Sequence, residues 1–200
     1  NELFGMYMDD NFIAKAEAWK QRHGGKKARY REMIPGDDFD LGEDGSALYY
    51  ADWDVVGIMF RDWKPAQSHN ISIQGTSGKT SYFLSVGYNH EEGVMTFNPD
   101  KLNKYNANMN VTSDITNWLQ IGGRFSYSDK AYTTPNTRRN TYTYMWRWGS
   151  FFGPYGTYQG IDMKNDIAYL KQAGDDKTND SYTRIGAFLK ATIIKGLTLN

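Results

Sequence analysis

Aromatic and basic side chains crowd one segment of the chain, residues 138–158. The sequence predicts a substrate-binding set of Tyr142, Tyr144, Trp146, Arg147, Trp148, Phe151 and Tyr155, with Arg138, Arg139, Phe152 and Tyr158 in the same segment. Flat rings with polar tips are suitable platforms for sugar rings, and guanidinium groups add hydrogen bonds. The favoured alternative is that these rings pack the segment onto itself or against a partner protein, because large interfaces are rich in Tyr, Trp and Arg.

A second cluster of chemically active residues is acidic and consists of Asp37, Asp38, Asp40, Glu43 and Asp44. Clustered carboxylates suggest a site for a hard cation. An EF-hand loop that began at Asp38 would need a glutamate at its twelfth position, where the chain has Tyr49. The sequence therefore predicts a solvated acidic loop and no metal site.

The remaining residues assemble no catalytic constellation. His23, His69 and His90 lack the i, i+4 spacing of a zinc-binding helix, and the chain has no phosphate-binding loop and no nucleophile in a recognisable context. Lys plus Arg and Asp plus Glu number 23 each, so the formal charge is zero, unlike the basic footprint of a nucleic-acid binder. We therefore expect neither an enzyme, nor a cofactor, nor a nucleic-acid partner.

Cysteine content and hydropathy narrow the class of protein. The chain has no cysteine, which excludes disulfides and thiolate metal sites. Its mean hydropathy is −0.70, and no run approaches the roughly 18 apolar residues of a membrane helix. The strands of a membrane β-barrel give a much weaker signal, because their apolar side chains alternate with polar ones. Low mean hydropathy is therefore compatible with an outer-membrane barrel.

The elements that must position these residues differ between two regions, which the pattern divides into domains 1–67 and 68–200. The first region is irregular. Its one helical stretch begins near Asp9-Asp10-Asn11 and stops at Gly24-Gly25, with Phe12, Ile13, Ala16 and Trp19 on one face. Turn formers dominate from Arg31 to Trp53, and we expect a loop there.

From Ser68 onward the sequence alternates apolar and polar residues, which predicts antiparallel β-strands. The apolar positions are Ile71 and Ile73, then Tyr82 to Tyr88, Tyr105 to Val111, Leu119 to Tyr127 and Ile185 to Ala191, each taken at every second residue. A soluble β-sandwich would alternate in the same way. Three features favour a membrane barrel: runs close to 9 to 11 residues, a polar face rich in Asn, Gln, Ser and Gly, and aromatic residues near the strand ends.

Connection lengths agree with a barrel, in which short periplasmic turns alternate with long external loops. The sequence predicts connections at 76–79, 89–103, 113–117, 130–180 and 194–196, which are short, medium, short, very long and short in turn. The pattern thus indicates an antiparallel wall segment of a transmembrane β-barrel, in an all-β chain with a short N-terminal helix. The connection 130–180 is expected to be a long extracellular loop.

Several motifs extend this interpretation to a family. They are Asp52-Trp53-Asp54, the run His69 to Gly75, the run Lys79 to Tyr88, Glu92-Gly93, Tyr105 to Asn110, Trp118 to Gly122 and Lys195-Gly196-Leu197. In this order they resemble the SusC/RagA-type TonB-linked outer-membrane transporters of Bacteroidetes. The run 52–128 is the specific part, whereas residues 1–51 and 130–180 match only as variable loops.

The resemblance implies a 22-stranded barrel in the cell outer membrane, in contact with its lipid, with a plug and a TonB-contacting segment upstream of this chain. It also implies a SusD-like surface lipoprotein as a lid and the import of oligosaccharides or peptides. Both ends of the chain look like cuts, so we expect a fragment of such a transporter. The alternatives from other classes are a soluble carbohydrate-binding β-sandwich and an all-β enzyme.

Overall fold

The structure is a computed structural model. It describes residues 2–3, 6–7, 10–43, 45–147, 153–163, 166–194 and 197–199. In chain order the elements are β1 (Glu2–Leu3), β2 (Met6–Tyr7), α1 (Asp10–Arg22), β3 (Phe39–Leu41), β4 (Ala47–Tyr49), α2 (Val55–Met59), β5 (Ala66–Ser77), β6 (Thr80–Glu92), β7 (Lys101–Asp114), β8 (Leu119–Pro135), α3 (Arg138–Arg147), β9 (Thr157–Tyr158), β10 (Ile161–Asp162), α4 (Asp166–Gln172), β11 (Asp175–Ile194) and β12 (Leu197–Leu199).

These elements form two compact units that interleave along the sequence. The first unit contains residues 1–63, 94–99 and 134–176, and the second contains 64–93, 100–133 and 177–200. The sequence pattern separates the chain near residue 67, close to the first of these boundaries. It places residues 134–176 with the strands, whereas in the structure they belong to the first unit.

The predicted N-terminal helix is confirmed as α1. Phe12, Ala16 and Trp19 are buried along one face of it, as an amphipathic helix requires. Ile13, predicted to share that face, is half-exposed. Since successive helical residues are about 100° apart, Ile13 lies beside the buried stripe rather than on it. Two glycines with positive φ, Gly24 and Gly25, follow the helix in the left-handed conformation typical of helix ends.

The prediction of a plain loop between Arg31 and Trp53 was wrong. The segment contains the two-stranded antiparallel sheet of β3 and β4, in which Phe39 pairs with Tyr49. Phe39, Tyr50 and Trp53 are almost fully buried and belong to the hydrophobic core of the first unit. Apolar residues that are separated by turns show neither the period of a helix nor that of a strand. Large aromatic rings among them still contribute much of the core, because each one buries a large apolar area.

The long connection predicted at 130–180 is also more ordered than a loop. β8 continues to Pro135 and β11 begins at Asp175. Between them lie α3, the β9–β10 hairpin and α4, and both Ile167 and Leu170 of α4 are fully buried. The part of the connection that the structure describes is therefore packed into a core of its own unit.

The second unit is a six-stranded sheet in the order β12-β11-β8-β7-β6-β5. The first hairpin has a two-residue turn in which Gly78 adopts a positive φ of 59°. Residues with a side chain rarely adopt this conformation, whereas glycine adopts it readily. A tight turn with positive φ matches the right-handed twist of the paired strands. The predicted antiparallel pairing of the successive strands β5, β6, β7 and β8 is confirmed.

The strands are longer than the 9 to 11 residues expected from the alternating runs. β5 has 12 residues, β6 13, β7 14, β8 17 and β11 20. Backbone hydrogen bonds continue the pairing where both faces become polar, as at the start of β11. Alternation therefore identifies where one face is apolar, not where the strands end.

The register places the apolar residues of four strands on one face of the sheet. Residues that pair directly across strands point to the same side. The rows on this face are Gly75-Tyr82-Val111-Gly123, Ile73-Leu84-Met109-Phe125, Ile71-Val86-Ala107-Tyr127 and His69-Tyr88-Tyr105-Asp129. We call this set the apolar face.

The intervening rows form a polar face. They are Gln74-Phe83-Asn110-Arg124, Ser72-Ser85-Asn108-Ser126 and Asn70-Gly87-Asn106-Ser128. Within the second row, Asn108 Nδ2 donates to Ser85 Oγ at 3.4 Å, and Ser126 Oγ donates to Asn108 Oδ1 at 2.9 Å. The side chains of this row thus hydrogen-bond to each other across three strands.

Large residues of the apolar face are exposed. Ile71 is 70% exposed and Leu84 44% exposed. The same is true of Ile73, Tyr82, Val86, Tyr105 and Met109, and, on neighbouring strands, of Ile121, Ile185 and Leu189. Single exposed apolar residues are ordinary, whereas a contiguous patch of this extent indicates an interaction surface.

Two adjacent glycines in β8 allow a matched prediction about packing on the two faces. A methyl group added at Gly122 would overlap the ring of Phe188 and approach Val111 O at 3.0 Å, whereas one added at Gly123 would only touch Gly186 O at 4.0 Å. Because the Phe188 ring must move and Val111 O leaves little room, we expect Gly122→Ala to lower the free energy of unfolding by about 1 kcal/mol. Gly123→Ala should change it little. Chemical unfolding followed by circular dichroism compares the two variants, and equal effects would contradict the packing described.

Among the residues that the structure describes, no helix is both long and apolar enough to cross a membrane.

Candidate functional site

The first unit contains a cleft of about 450 Å³ at the start of α3. Its lining residues come from the end of β8, the turn after it, the first turns of α3 and the start of β11; they are Thr134, Pro135, Asn136, Arg138, Arg139, Tyr142, Thr143 and Asp176. Clefts of about 300 to 1,000 Å³ are typical of small-molecule sites. We call this the α3 cleft.

One wall of the α3 cleft is a single face of the helix. Residues three and four positions apart lie next to each other on a helix surface, which brings Arg138 and Arg139 beside Tyr142. The Tyr142 ring is 49% exposed and meets the Phe60 ring edge-to-face, with centroids 5.8 Å apart. The contact with Phe60 fixes an exposed ring in position next to two guanidinium groups.

Further polar groups of the lining are positioned by backbone pairing. Asn136 N donates to Gly174 O at 2.9 Å, which brings the turn before α3 next to the residues that precede β11. Asn136 and Asp176 thereby face the cleft together. The site thus combines an aromatic ring, two guanidinium groups, an amide and a carboxylate.

The structure brings only part of the predicted substrate-binding set to this cleft. Tyr142 lines it, and Arg138 and Arg139 join it. Tyr144, Trp146 and Arg147 belong to α3, but their side chains lie outside the described part of the structure. The predictions for Trp148, Phe151 and Phe152 also concern residues outside the described ranges.

Tyr155, a member of the predicted substrate-binding set, lies in the core of the first unit. Its side chain is 2% exposed and belongs to the core, so no ligand ring can stack on it. Tyr158 is also packed against the core, edge-to-face with Phe39 at 5.2 Å between centroids. Tyr155 and Tyr158 thus contact residues outside the segment 138–158, Asp166 and Phe39 respectively.

Tyr155 hydrogen-bonds to the carboxyl group of Asp166, the first residue of α4. Burial raises the pKa of Asp166 to about 6, and the hydrogen bond from Tyr155 offsets only part of the rise. Burial, with the neighbouring carboxylate, also raises the pKa of the Tyr155 hydroxyl. Asp166 therefore ionises around pH 6 rather than about pH 4, because it lies in a packed region.

This pair gives a prediction on pH dependence. Because the pKa of Asp166 is higher in the folded than in the unfolded chain, its stabilising effect is complete below the unfolded value of about 3.9 and is lost as pH rises through 6. We expect Asp166→Asn to raise the free energy of unfolding of the first unit by about 1 kcal/mol at pH 7.5, after allowance for solvent screening, and to change it little at pH 4.

Urea-dependent proteolysis of the intact chain at both pH values measures the difference. Asp62→Asn is the control, because Asp62 is an exposed aspartate of the same unit. A gain for Asp166→Asn that does not depend on pH would contradict the assignment.

The acidic cluster at 37–44 is not a solvated loop at its centre. Asp38 is 1% exposed and accepts hydrogen bonds from Arg31 Nη1 at 2.5 Å and Nη2 at 2.7 Å. Ile34 N and Trp19 Nε1 donate to the same carboxylate at 2.8 and 3.1 Å. Burial alone would raise the pKa of Asp38, but these bonds outweigh it and lower the pKa.

Asp37 and Asp40 of the acidic cluster are ion-pair partners. Asp37 accepts from Arg22 Nη2 at 2.9 Å and lies 3.0 Å from His23 Nε2. Asp40 pairs with Lys15 of α1. Asp44 lies outside the described residues, and the described residues contain no group of His, Cys, Asp and Glu that could hold a metal ion. The carboxylates thus bind α1 to the segment after it.

A second polar cluster joins three distant segments of the first unit. Tyr30 Oη donates to Asp162 Oδ1 at 2.5 Å, and Lys171 Nζ donates to Tyr30 Oη at 2.7 Å and to Asp162 Oδ2 at 2.8 Å. The ammonium group also lies 5.0 Å from the centroid of the Phe97 ring. Burial and the hydrogen bond to Asp162 raise the pKa of Tyr30, which argues against a role as a base. The cluster therefore stabilises the contact between these three segments.

Sequence reasoning missed Asn136, Thr143 and Asp176 of the α3 cleft. Asp176 is 33 or more positions from the rest of the cleft, and only the contact between turn and strand brings it close. Arg139 and Tyr142 had a usable signal, since their spacing of three places both on one helix face. That spacing is informative only if the segment is known to be helical, and the sequence pattern predicted a loop there.

No family model, curated protein or solved structure matches this chain. Function must therefore be inferred from the geometry of the sheet and of the α3 cleft.

Proposed function

We propose that this chain is part of the wall and outer loops of a TonB-dependent outer-membrane transporter of the SusC/RagA type. In this proposal the six-stranded sheet is one section of a closed 22-stranded barrel. The barrel imports oligosaccharides or peptides together with a SusD-like surface lipoprotein. The plug and the segment that contacts TonB belong to parts of the protein outside these residues.

The observation that carries the proposal is the two-faced sheet. Large apolar side chains such as Ile71 and Ile73 are exposed on one face, while the opposite face carries hydrogen-bonded Asn and Ser side chains. An exposed apolar face this large is unfavourable in water and favourable against lipid tails. A polar face suits a hydrated lumen or a polar plug.

Aromatic residues of the apolar face add support. Tyr82 lies near the turn end of β6, and Trp118, 55% exposed, lies in the neighbouring turn. At the other side of the apolar rows, Tyr88 and Tyr105 pair with ring centroids 5.1 Å apart. Tyr82 and Tyr88 are six residues apart, or about 20 Å along a strand. Aromatic residues near both ends of an apolar strand run are typical of the interfacial girdles of membrane barrels.

The soluble β-sandwich alternative requires a second layer that buries the apolar face. Ile73 and Leu84, in the middle of that face, remain 60% and 44% exposed. A sandwich core would bury them to the level of Trp53, which is 1% exposed. The exposure therefore favours the membrane proposal over a sandwich formed by these residues alone.

These 200 residues contain no cysteine, so replacement of any cysteine elsewhere in the full-length protein allows a direct test of the lipid-facing surface. Single cysteines at Asn70, Ile71, Ser72 and Ile73 can be labelled with a small fluorophore in the full-length protein reconstituted in lipid vesicles. Quenching by lipids that carry brominated tails should be strong at 71 and 73 and weak at 70 and 72. Neighbouring residues serve as controls for each other, because they differ only in the face of the strand.

The pattern of quenching decides the proposal. A period of two, with maxima at the isoleucines, is the expected result. Uniformly weak quenching, or full solubility of the protein without detergent or lipid, would overturn it.

A further inference from the structure

We propose that the α3 cleft binds a sugar residue that carries a carboxylate, as in an oligosaccharide of uronic acids. The proposal rests on the transport function proposed above and names the chemical class of its ligand. It is argued from Tyr142, from Arg138 and Arg139 beside it, and from Asn136 and Asp176, which line the same cleft.

Tyr142 supplies the stacking surface. Its ring is half-exposed at the cleft and is held edge-to-face by Phe60. An aromatic ring held in place loses little conformational freedom when a flat apolar face of a pyranose ring covers it. The cleft volume of about 450 Å³ provides room for a small oligosaccharide segment.

Arg138 and Arg139 make an acidic sugar preferable to a neutral one. The first turn of α3 contains no acidic residue, so this wall carries positive charge. A guanidinium group can bind a carboxylate through two parallel hydrogen bonds, which are stronger than bonds to a neutral hydroxyl. The spacing of three and four positions brings both groups next to the ring on which the sugar would lie.

Asn136 and Asp176 line the same cleft. A carboxylate such as Asp176 can accept hydrogen bonds only, and sugar hydroxyls are the donors that suit it. The single carboxylate of the lining would repel a ligand that carries negative charge all around. A sugar with one carboxylate and several hydroxyls suits the arginines and Asp176 together.

Calorimetric titration of the full-length protein in detergent tests the proposal with trigalacturonic acid and its fully methyl-esterified form. The two probes share their rings and differ in charge. At low salt we expect the acid to bind about tenfold more tightly than the ester, because charge-assisted hydrogen bonds are stronger than neutral ones. Arg139→Ala should reduce this preference for the acid. Arg139→Lys should keep only part of the preference, since lysine retains the charge but cannot donate two parallel hydrogen bonds to one carboxylate.

Tyr142→Ala should weaken binding of both probes, whereas Tyr142→Phe should preserve it. Tyr169→Ala is the matched control, because Tyr169 is 49% exposed on α4 of the same unit and does not line the cleft. Equal affinity for acid and ester, no binding of either, or equal effects of Tyr142→Ala and Tyr169→Ala would overturn the proposal. Lipid quenching on the sheet needs no ligand, so a failure here is distinguishable from a failure of the transport proposal.

Discussion

Arg31→Ala is expected to lower the free energy of unfolding of the first unit by about 3 kcal/mol. The substitution leaves the buried carboxylate of Asp38 without its two strongest hydrogen bonds. It also removes the guanidinium group that lies 5.6 Å from the centroid of the Trp53 ring. The expected loss is at the low end for a broken buried pair, because the Arg31 side chain is 33% exposed whereas that of Asp38 is fully buried.

The loss should depend on pH in a definite direction. The pKa of Asp38 is lowered in the folded chain, so its stabilising effect is complete above the unfolded value of about 3.9 and disappears as pH falls through the folded value. The difference between wild type and Arg31→Ala should therefore be largest at neutral pH and smaller at pH 3. Urea-dependent proteolysis of the intact chain, with cleavage followed in residues 10–63, measures it.

Arg29→Ala is the control for this prediction. Arg29 pairs with Asp54 at 3.3 Å, but its side chain is 70% exposed, and exposed pairs contribute about 0 to 1 kcal/mol. A second variant, Arg31→Ala combined with Asp38→Asn, should recover part of the loss, because it removes the unpaired charge. Equal losses for Arg29→Ala and Arg31→Ala would show that Asp38 does not depend on its partner.

Ile73→Arg is expected to destabilise the proposed barrel by about 2 to 4 kcal/mol, the cost of an arginine near the middle of the lipid-facing surface. Ile73 lies in the central rows of the apolar face, in register with Leu84 and Met109. A charged group there would have to leave water for hydrocarbon. Unfolding in urea from lipid vesicles, followed by tryptophan fluorescence of the full-length protein, gives the free energy.

Ser72→Arg provides the comparison for Ile73→Arg. Ser72 is adjacent in sequence, exposed, and on the polar face of the same strand. An arginine there should cost well under 1 kcal/mol, as is usual for exposed surface positions. Should both variants lose the same amount, the two faces of β5 would not differ in environment.

Much of the second unit could be predicted from the sequence. Alternation over Tyr82 to Tyr88 and Tyr105 to Val111 located β6 and β7, and Gly78 located the turn before them. These features are local, because each strand residue points opposite to its neighbour. Strand ends were less accurate, since backbone pairing extends past the alternating runs.

The first unit could not be predicted in the same way, for a physical reason. Trp53, Phe39 and Tyr155 are buried by residues far away in the sequence, and no period marks them. The burial of Tyr155 depends on α4, and that of Asp38 on Arg31 and Trp19. Residue type identified Tyr142 as a candidate but not which of its aromatic neighbours face a cleft.

The interleaving of the two units has a consequence for how the chain assembles. The core of the first unit combines Phe12 and Trp53 with Ile167 and Leu170, and strands β5 to β8 are synthesised between these two groups. A polypeptide that emerges N-terminus first must therefore hold Trp53 without its late partners while the hairpins form. Contacts this distant in sequence close slowly, and their rings stay open to aggregation until they do.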